Sequence, residues 1–287
     1  MNDDRIRLEQ LEIRNSQNDI IRMDIRFTDD GRKKPLVIIC HSFMAFKNWG
    51  FFSYLSEQLA QAGFVSIIFN FSHNGVVGDG IRITDFERFT QNTFSLELDD
   101  LNSVLAACVE NESLRKIGDE TKIALLGHSR GGGIAIVHAA SDRRIKALAT
   151  LSAIATFDRW REHQKQAWRK QGWLPLARDS SISPLRLGIG LLHDLETNGD
   201  RLNILKAASQ ITVPWLILHG KEDVTVPSKE AESLAHASAS PATELMLLEH
   251  VGHLYNAVSL EEDGYRTLNI VLSTTIKFFH RTLKGNL

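Results

Sequence analysis

Six apolar runs, at residues 35–40, 65–69, 122–126, 145–151, 213–218 and 243–248, recur along the chain with helix-like sequence between them. Strands that are apolar throughout, rather than at alternate positions, are buried on both faces, and that pattern belongs to a parallel sheet covered by helices. Ahead of these runs, residues 5–14 and 20–27 alternate apolar and polar positions around 15–19. That alternation predicts an antiparallel hairpin with one wet face, placed at a sheet edge. At 287 residues the chain is long enough for one large domain with an insertion. The expected fold is α/β: a mostly parallel central sheet with an N-terminal antiparallel hairpin, helices on both faces and a small inserted cap, all in a single domain over 1–287.

Right-handed crossovers in such a sheet gather the loops that follow the strands along one rim, where ligands bind. Loops 41–47, 70–80, 127–131, 152–158, 219–227 and 250–255 all follow predicted strands, and they hold the chain's most unusual residues. Between about 157 and 205 the alternation lapses, interrupted by Trp160, Trp168, Trp173, Pro175, Pro184 and a Gly188-x-Gly190 pair; this stretch is the expected cap. Trp160, Ala167 and Trp168 fall on one face of a predicted amphipathic helix, where they either pack the cap onto the main domain or line a pocket.

Composition excludes several classes. With 43% hydrophobic and 24% charged residues and a formal net charge of -2, no strong field favours polyanions, so nucleic acid is not an expected partner. The start, Met1-Asn2-Asp3-Asp4-Arg5, carries acids and no apolar segment, and no run approaches the roughly 20 residues of a spanning helix. The expectation is a soluble cytoplasmic protein, with a homodimer left open. Cys40 and Cys108 fall in apolar segments and read as small buried side chains, neither disulfide-bonded nor nucleophilic.

The densest chemistry lies at residues 122–136, a buried strand leading through Gly127-His128-Ser129-Arg130-Gly131 into a helix start. Glycines flanking a serine between strand and helix permit the sharp turn of a nucleophile elbow, which lifts the Ser129 hydroxyl above the sheet. A serine hydroxyl is a weak nucleophile at neutral pH and needs a neutral imidazole oriented by a carboxylate. Downstream, Leu218-His219-Gly220-Lys221-Glu222-Asp223-Val224-Thr225-Val226-Pro227 offers Asp223 as the acid, with Glu222 as competitor. Glu249-His250-Val251-Gly252-His253-Leu254-Tyr255 then offers His253 as the base, with His250 as competitor. Most of the eleven histidines must be structural or exposed, and His128 is expected to pack beside the elbow. Negative charge developing on a carbonyl oxygen also demands preorganised donors. The backbone N–H of Arg130 and that of Phe43, in the loop His41-Ser42-Phe43-Met44, are the candidates.

These residues, together with Phe69-Asn70-Phe71-Ser72-His73-Asn74-Gly75, resemble the α/β-hydrolase superfamily over most of the chain. Within it the chain is similar to bacterial carboxylesterases of the cinnamoyl or feruloyl esterase type and to dienelactone-hydrolase-like and acylaminoacyl-peptidase-like proteins. The resemblance implies a serine carboxylesterase working through an acyl-enzyme, with Ser129, Asp223 and His253 as triad. No cofactor is expected, and no metal either, since His250 and His253 fall in a predicted loop with no further ligand set; His41, Trp160 and Trp168 are the candidate substrate-binding residues. Two departures stand out: His41-Ser42 replaces the usual His-Gly, and Arg130 follows the serine where relatives often carry Gln, Met or Leu. Arg130 is expected to be exposed or salt-bridged rather than a cation aimed at the pocket.

Other chemistries share the triad, so amidase, peptidase, thioesterase and carbon–carbon bond hydrolase remain alternatives. A serine at the elbow argues against epoxide hydrolysis and dehalogenation, which use a carboxylate nucleophile. Gly127-x-Ser129-x-x-Gly132 imitates a dinucleotide-binding turn, but Ser replaces the middle glycine and the next strand ends in Ser152 without a ribose-binding acid. A non-catalytic receptor on the same fold is the remaining alternative.

Overall fold

The computed structural model describes residues 6–176, 185–257 and 262–284; residues 1–5 and Pro184, named above, lie outside them. Strands β1 (Ile6–Arg14), β2 (Ile20–Thr28) and β3 (Lys34–Cys40) open the chain, and α1 (Phe52–Gln61) leads to β4 (Val65–Phe69). Helices α2 (Phe86–Thr90), α3 (Phe94–Glu110) and α4 (Glu112–Ile117) precede β5 (Gly118–His128), which α5 (Arg130–Ala139) connects to β6 (Ile145–Leu151). Then come α6 (Glu162–Gln171), β7 (Trp173–Pro175), β8 (Arg186–Gly188), α7 (Ile189–Thr197), α8 (Ile204–Ala208) and β9 (Trp215–Gly220). The chain continues through α9 (Ser228–Ala237), β10 (Thr243–Leu248) and α10 (Glu262–Phe279) to a π-helical turn, His280–Lys284.

Eight strands form one sheet in the order β1-β2-β4-β3-β5-β6-β9-β10. β2 pairs antiparallel with both β1 and β4, and the pairs from β4 through β10 are parallel. The interior strands explain the apolar runs: all of β3, β4 and β9 is buried, whereas edge strand β1 is largely exposed. Along β3 the two-residue period divides the core. Leu36, Ile38 and Cys40 join α3 and α5 on one face, and Val37 and Ile39 join α1 and α10 on the other. β5 starts at Gly118, earlier than its apolar run, because residues 119–122 are polar and at least partly exposed and carry no hydrophobic signal.

The predicted hairpin forms because Asn15 turns the chain. Its Oδ1 accepts from the backbone N–H of Gln17 (3.0 Å) and Asp19 (2.8 Å), and Asn18 takes a positive φ of 68°. Cys40 and Cys108 are buried and free, with burial pushing the Cys108 thiol up to about 12.

Among the described residues, the segment between β6 and β9 holds helices α6, α7 and α8 and the two-stranded β7–β8 sheet. Asp194 of α7 ties it to the start of α3 by accepting from the N–H (2.9 Å) and hydroxyl (2.5 Å) of Ser95. One expectation fails here: Trp160 is not on the amphipathic helix. Gln164 Oε1 accepts from the N–H of Arg161 at 2.9 Å and starts α6 at Glu162, which leaves Trp160 in the preceding loop. Among the described residues, no helix is long and apolar enough to cross a membrane.

Candidate active site

Ser129 stands between the last residue of β5 and the first of α5 with φ 54° and ψ −119°, a conformation costly for any residue with a Cβ. The flanking glycines make the turn feasible. A Cβ on Gly131 would lie 2.3 Å from the carbonyl oxygen of His41, and one on Gly127 would lie 2.5 Å from that of Gly131. The turn can therefore press against the end of β3, leaving Ser129 at the N-terminus of α5, whose dipole favours negative charge nearby.

Asp223 lies in the turn that leaves β9. Its Oδ1 accepts from the N–H groups of Thr225 (2.9 Å) and Val226 (2.8 Å), and its Oδ2 lies 2.7 Å from His253 Nδ1. His219 Nε2–H donates to the Val226 carbonyl at 2.8 Å and also lies 3.3 Å from Asp223 Oδ2. Burial alone would raise this carboxyl, but hydrogen bonds from His219, His253 and the Val226 N–H hold it well below the usual carboxylate range. As an ionised carboxylate only accepts, Nδ1 of His253 carries the imidazole proton and Nε2 is left as an acceptor, 3.0 Å from Ser129 Oγ. The arrangement can take a proton from the serine hydroxyl and hold the resulting imidazolium.

The loop bearing His253 is pinned from below. Tyr255, fully buried, donates its hydroxyl to the Leu218 carbonyl (3.0 Å) and accepts from Ser152 (3.1 Å). His128 Nε2–H donates to the His253 carbonyl at 3.0 Å. The two competitors pair with each other instead, Glu222 with His250 at 2.8 Å, and both are exposed.

Among the described residues, the backbone N–H groups of Phe43 and Arg130 donate to no protein acceptor. They remain available on either side of the elbow. The Phe43 loop is shaped by His41, whose Nδ1–H donates to the Ser42 carbonyl (2.9 Å) and whose Nε2 accepts from the N–H of Phe71 (3.3 Å). Lys47 anchors the same loop, pairing its buried ammonium with Asp24 of β2 and with Asp79 (2.9 Å), while its backbone N–H donates to Asn70 Oδ1 (2.7 Å).

A cavity of about 520 Å³ opens at Ser129 and His253, walled mainly by Phe43, Trp49, Phe94, Phe157 and Trp160. The candidate substrate-binding residues thus divide. Trp160 is in the wall, but His41 and Trp168 are not. His41 is turned into the loop by the hydrogen bonds just described, and Trp168 is fully buried behind Trp160, ring centroids 5.2 Å apart. Of the segment 157–205, only Phe157, Arg159 and Trp160 reach the wall among the described residues. Arg130 is salt-bridged to Glu97 and, contrary to the expectation that this would keep it from the pocket, also forms part of the wall. Sequence reasoning passed over His219, Tyr255 and Glu97. The first two stand inside the acid and histidine motifs, whereas Glu97 is one of two acids, with Asp100, among the buried and mostly apolar positions of α3.

Burial holds His128 near 3 and His41 near 4, so both are neutral in the folded protein. As pH falls below their ordinary value near 6.5, the unfolded chain binds protons first and stability declines until the folded values are reached. Each pH unit in that window removes about 1.4 kcal/mol per histidine. The urea midpoint of a His128→Phe variant is therefore expected to change less between pH 6.5 and 4.5 than that of the wild type. Equal slopes would show that His128 is not held neutral.

The family model described as alpha/beta hydrolase fold matches residues 35–186. The chain belongs to this family, a hydrolase class. An uncharacterized 31.7 kDa protein from Escherichia coli, in the traX-finO intergenic region, is 28% identical over 138 residues, 48% of this chain and 44% of that protein. The chain thus spans less than half the length of the curated relatives it matches. Among solved structures, the alpha/beta hydrolase GrgF from Penicillium sp. sh18 superposes with a TM-score of 0.74 at 16% identity, covering 97% of this chain and 99% of that one. Est1E from Butyrivibrio proteoclasticus gives 0.67 at 18% identity, with 94% and 98% covered. Dienelactone hydrolase from Anabaena variabilis gives 0.65 at 16% identity, with 97% and 99% covered. At these identities the likeness concerns the fold.

Proposed function

We propose that the chain is a serine hydrolase that cleaves carboxylic esters through an acyl-enzyme on Ser129. The reading is carried by the unbroken sequence of contacts from Asp223 through His253 to Ser129, at 2.7 and 3.0 Å. In the first half-reaction Ser129 Oγ attacks the ester carbonyl carbon while His253 Nε2 takes the hydroxyl proton. The oxyanion is received by the N–H groups of Phe43 and Arg130, each such donor being worth about 3–4 kcal/mol in the transition state. His253 returns the proton to the departing alkoxide, releasing the alcohol and leaving Ser129 acylated. Water then attacks the acyl carbon, losing its proton to His253, and the carboxylic acid leaves as Ser129 regains its hydrogen. The aromatic wall favours ester substrates with apolar groups, and the dienelactone hydrolase among the structural neighbours, whose substrate is a cyclic ester by name, supports an ester as the first substrate class to try.

A fluorophosphonate should label the folded protein once, with the adduct on the peptide containing Ser129, and hydrolysis of p-nitrophenyl butyrate should disappear in step with labelling. A folded protein that takes no label and turns over no activated ester would refute the assignment.

A further inference from the structure

Arg130 follows the candidate nucleophile, is only 7% exposed, and reaches the cavity wall, whereas its partner Glu97, 5% exposed, does not. The guanidinium is held on three sides. Its Nε donates to Glu97 Oε2 at 3.0 Å, Nη2 lies 2.9 Å from Glu97 Oε1, and its carbon stands 4.9 Å from the Phe43 ring centroid and 4.4 Å from that of Phe94. Pairing through Nε and Nη2 uses one edge of the group and leaves Nη1 without a protein partner among the described residues. Nη2 itself is buried and off the line of a hydrogen bond. A buried ion pair is weak evidence for a stabilising role, since such pairs are often replaced by apolar residues without loss.

We propose that Arg130 is a substrate-binding residue, its free edge donating to a second, uncharged oxygen acceptor such as an oxo group on the substrate, separate from the scissile carbonyl. This rests on the ester-hydrolase reading above. An uncharged acceptor fits because the charges at the wall are already balanced. Glu97 offsets Arg130, and Arg159, the other wall arginine, is engaged by Glu230 and the Thr225 carbonyl. A carboxylate on the substrate would meet no uncompensated cation and would be repelled by Glu97 across the guanidinium. The planar group is preoriented by two rings, so little side-chain freedom is lost on binding.

The test is pH-stat hydrolysis of methyl hexanoate, methyl 5-oxohexanoate and monomethyl adipate, with pentyl and 4-oxopentyl butyrate placing the oxo group on the alcohol half. Rates are normalised to those with hydroxide. The wild type is expected to favour the oxo ester over its hydrocarbon counterpart in one series by about 10- to 100-fold in kcat/KM, the range for a charged donor on a neutral acceptor. Monomethyl adipate should do no better than methyl hexanoate. Removing Arg130 alone would strand the buried Glu97, so the variant is Arg130→Met with Glu97→Gln, in which the oxo preference should fall to near unity. Glu97→Gln alone keeps Arg130 and removes the opposing charge, so it should raise kcat/KM for monomethyl adipate relative to methyl hexanoate. Hydrolysis of all esters without an oxo preference, or a preference unchanged in the double variant, would overturn the Arg130 assignment and leave the esterase reading standing. No hydrolysis of any ester would remove both.

Discussion

Ser129→Ala is expected to lower kcat for p-nitrophenyl butyrate by about 10⁴- to 10⁶-fold, with the fold intact. The size of the effect follows from the site's construction. Ser129 is 3.0 Å from His253 Nε2 and is the only hydroxyl that the imidazole contacts among the described residues, so its loss removes the nucleophile and leaves the base without a proton to take. The N–H donors of Phe43 and Arg130 belong to the backbone and survive the substitution. Residual activity above the uncatalysed rate is therefore expected, carried by positioning and oxyanion stabilisation. Initial rates on purified protein, with circular dichroism as a fold control, decide the matter. A variant retaining more than about a hundredth of wild-type activity would place the hydrolysis elsewhere.

The second large effect comes from a change of one atom. In Asp223→Asn the side-chain oxygen would stay with the N–H groups of Thr225 and Val226, which leaves no other use for an acceptor there. The amide NH₂ would then face His253 Nδ1 and the Nε2–H of His219. Against a donor, His253 can only present a lone pair at Nδ1, which forces the proton onto Nε2 and turns that nitrogen away from its task toward Ser129. A fall in kcat of about 10⁴-fold is expected, with KM little changed, the magnitude being that of the equivalent tautomer trap in serine proteases. The same substitution would leave the NH₂ opposing the His219 donor, so the variant should also unfold at lower urea concentration. If kcat drops only a few-fold, His253 does not depend on Asp223 for its tautomer.

Much of this was legible because burial writes itself into sequence. The doubly covered strands β3, β4 and β9 appear as unbroken apolar runs, and the glycines around Ser129 are demanded by backbone approaches that no other residue tolerates. Asp223 and His253 stand out from Glu222 and His250 by their likeness to the acid and histidine loops of related hydrolases, Asp223 ahead of Val226-Pro227 and His253 after Gly252. The wall of the cavity was much less legible. Trp160 and Trp168 look equivalent in sequence, yet α6 begins only at Glu162, so one stands in the loop at the wall and the other on the helix behind it. His41 carries a polar ring in the right loop, but the N–H of Phe71, thirty residues away, claims it. Glu97 and Arg130 are joined only by the folding of α3 against α5, and nothing local to either residue announces the pair.

The exposed Glu222–His250 pair has a bearing on how the protein responds to reagents. The side chain of His250 is 88% exposed and that of His253 15%. An imidazole-acylating compound therefore meets His250 before His253, as it does the exposed His163, His193 and His236, and early modification accumulates on residues that take no part in the proposed turnover. Inactivation lags behind the number of histidines consumed, so the surface pair behaves as a sacrificial target beside the working one.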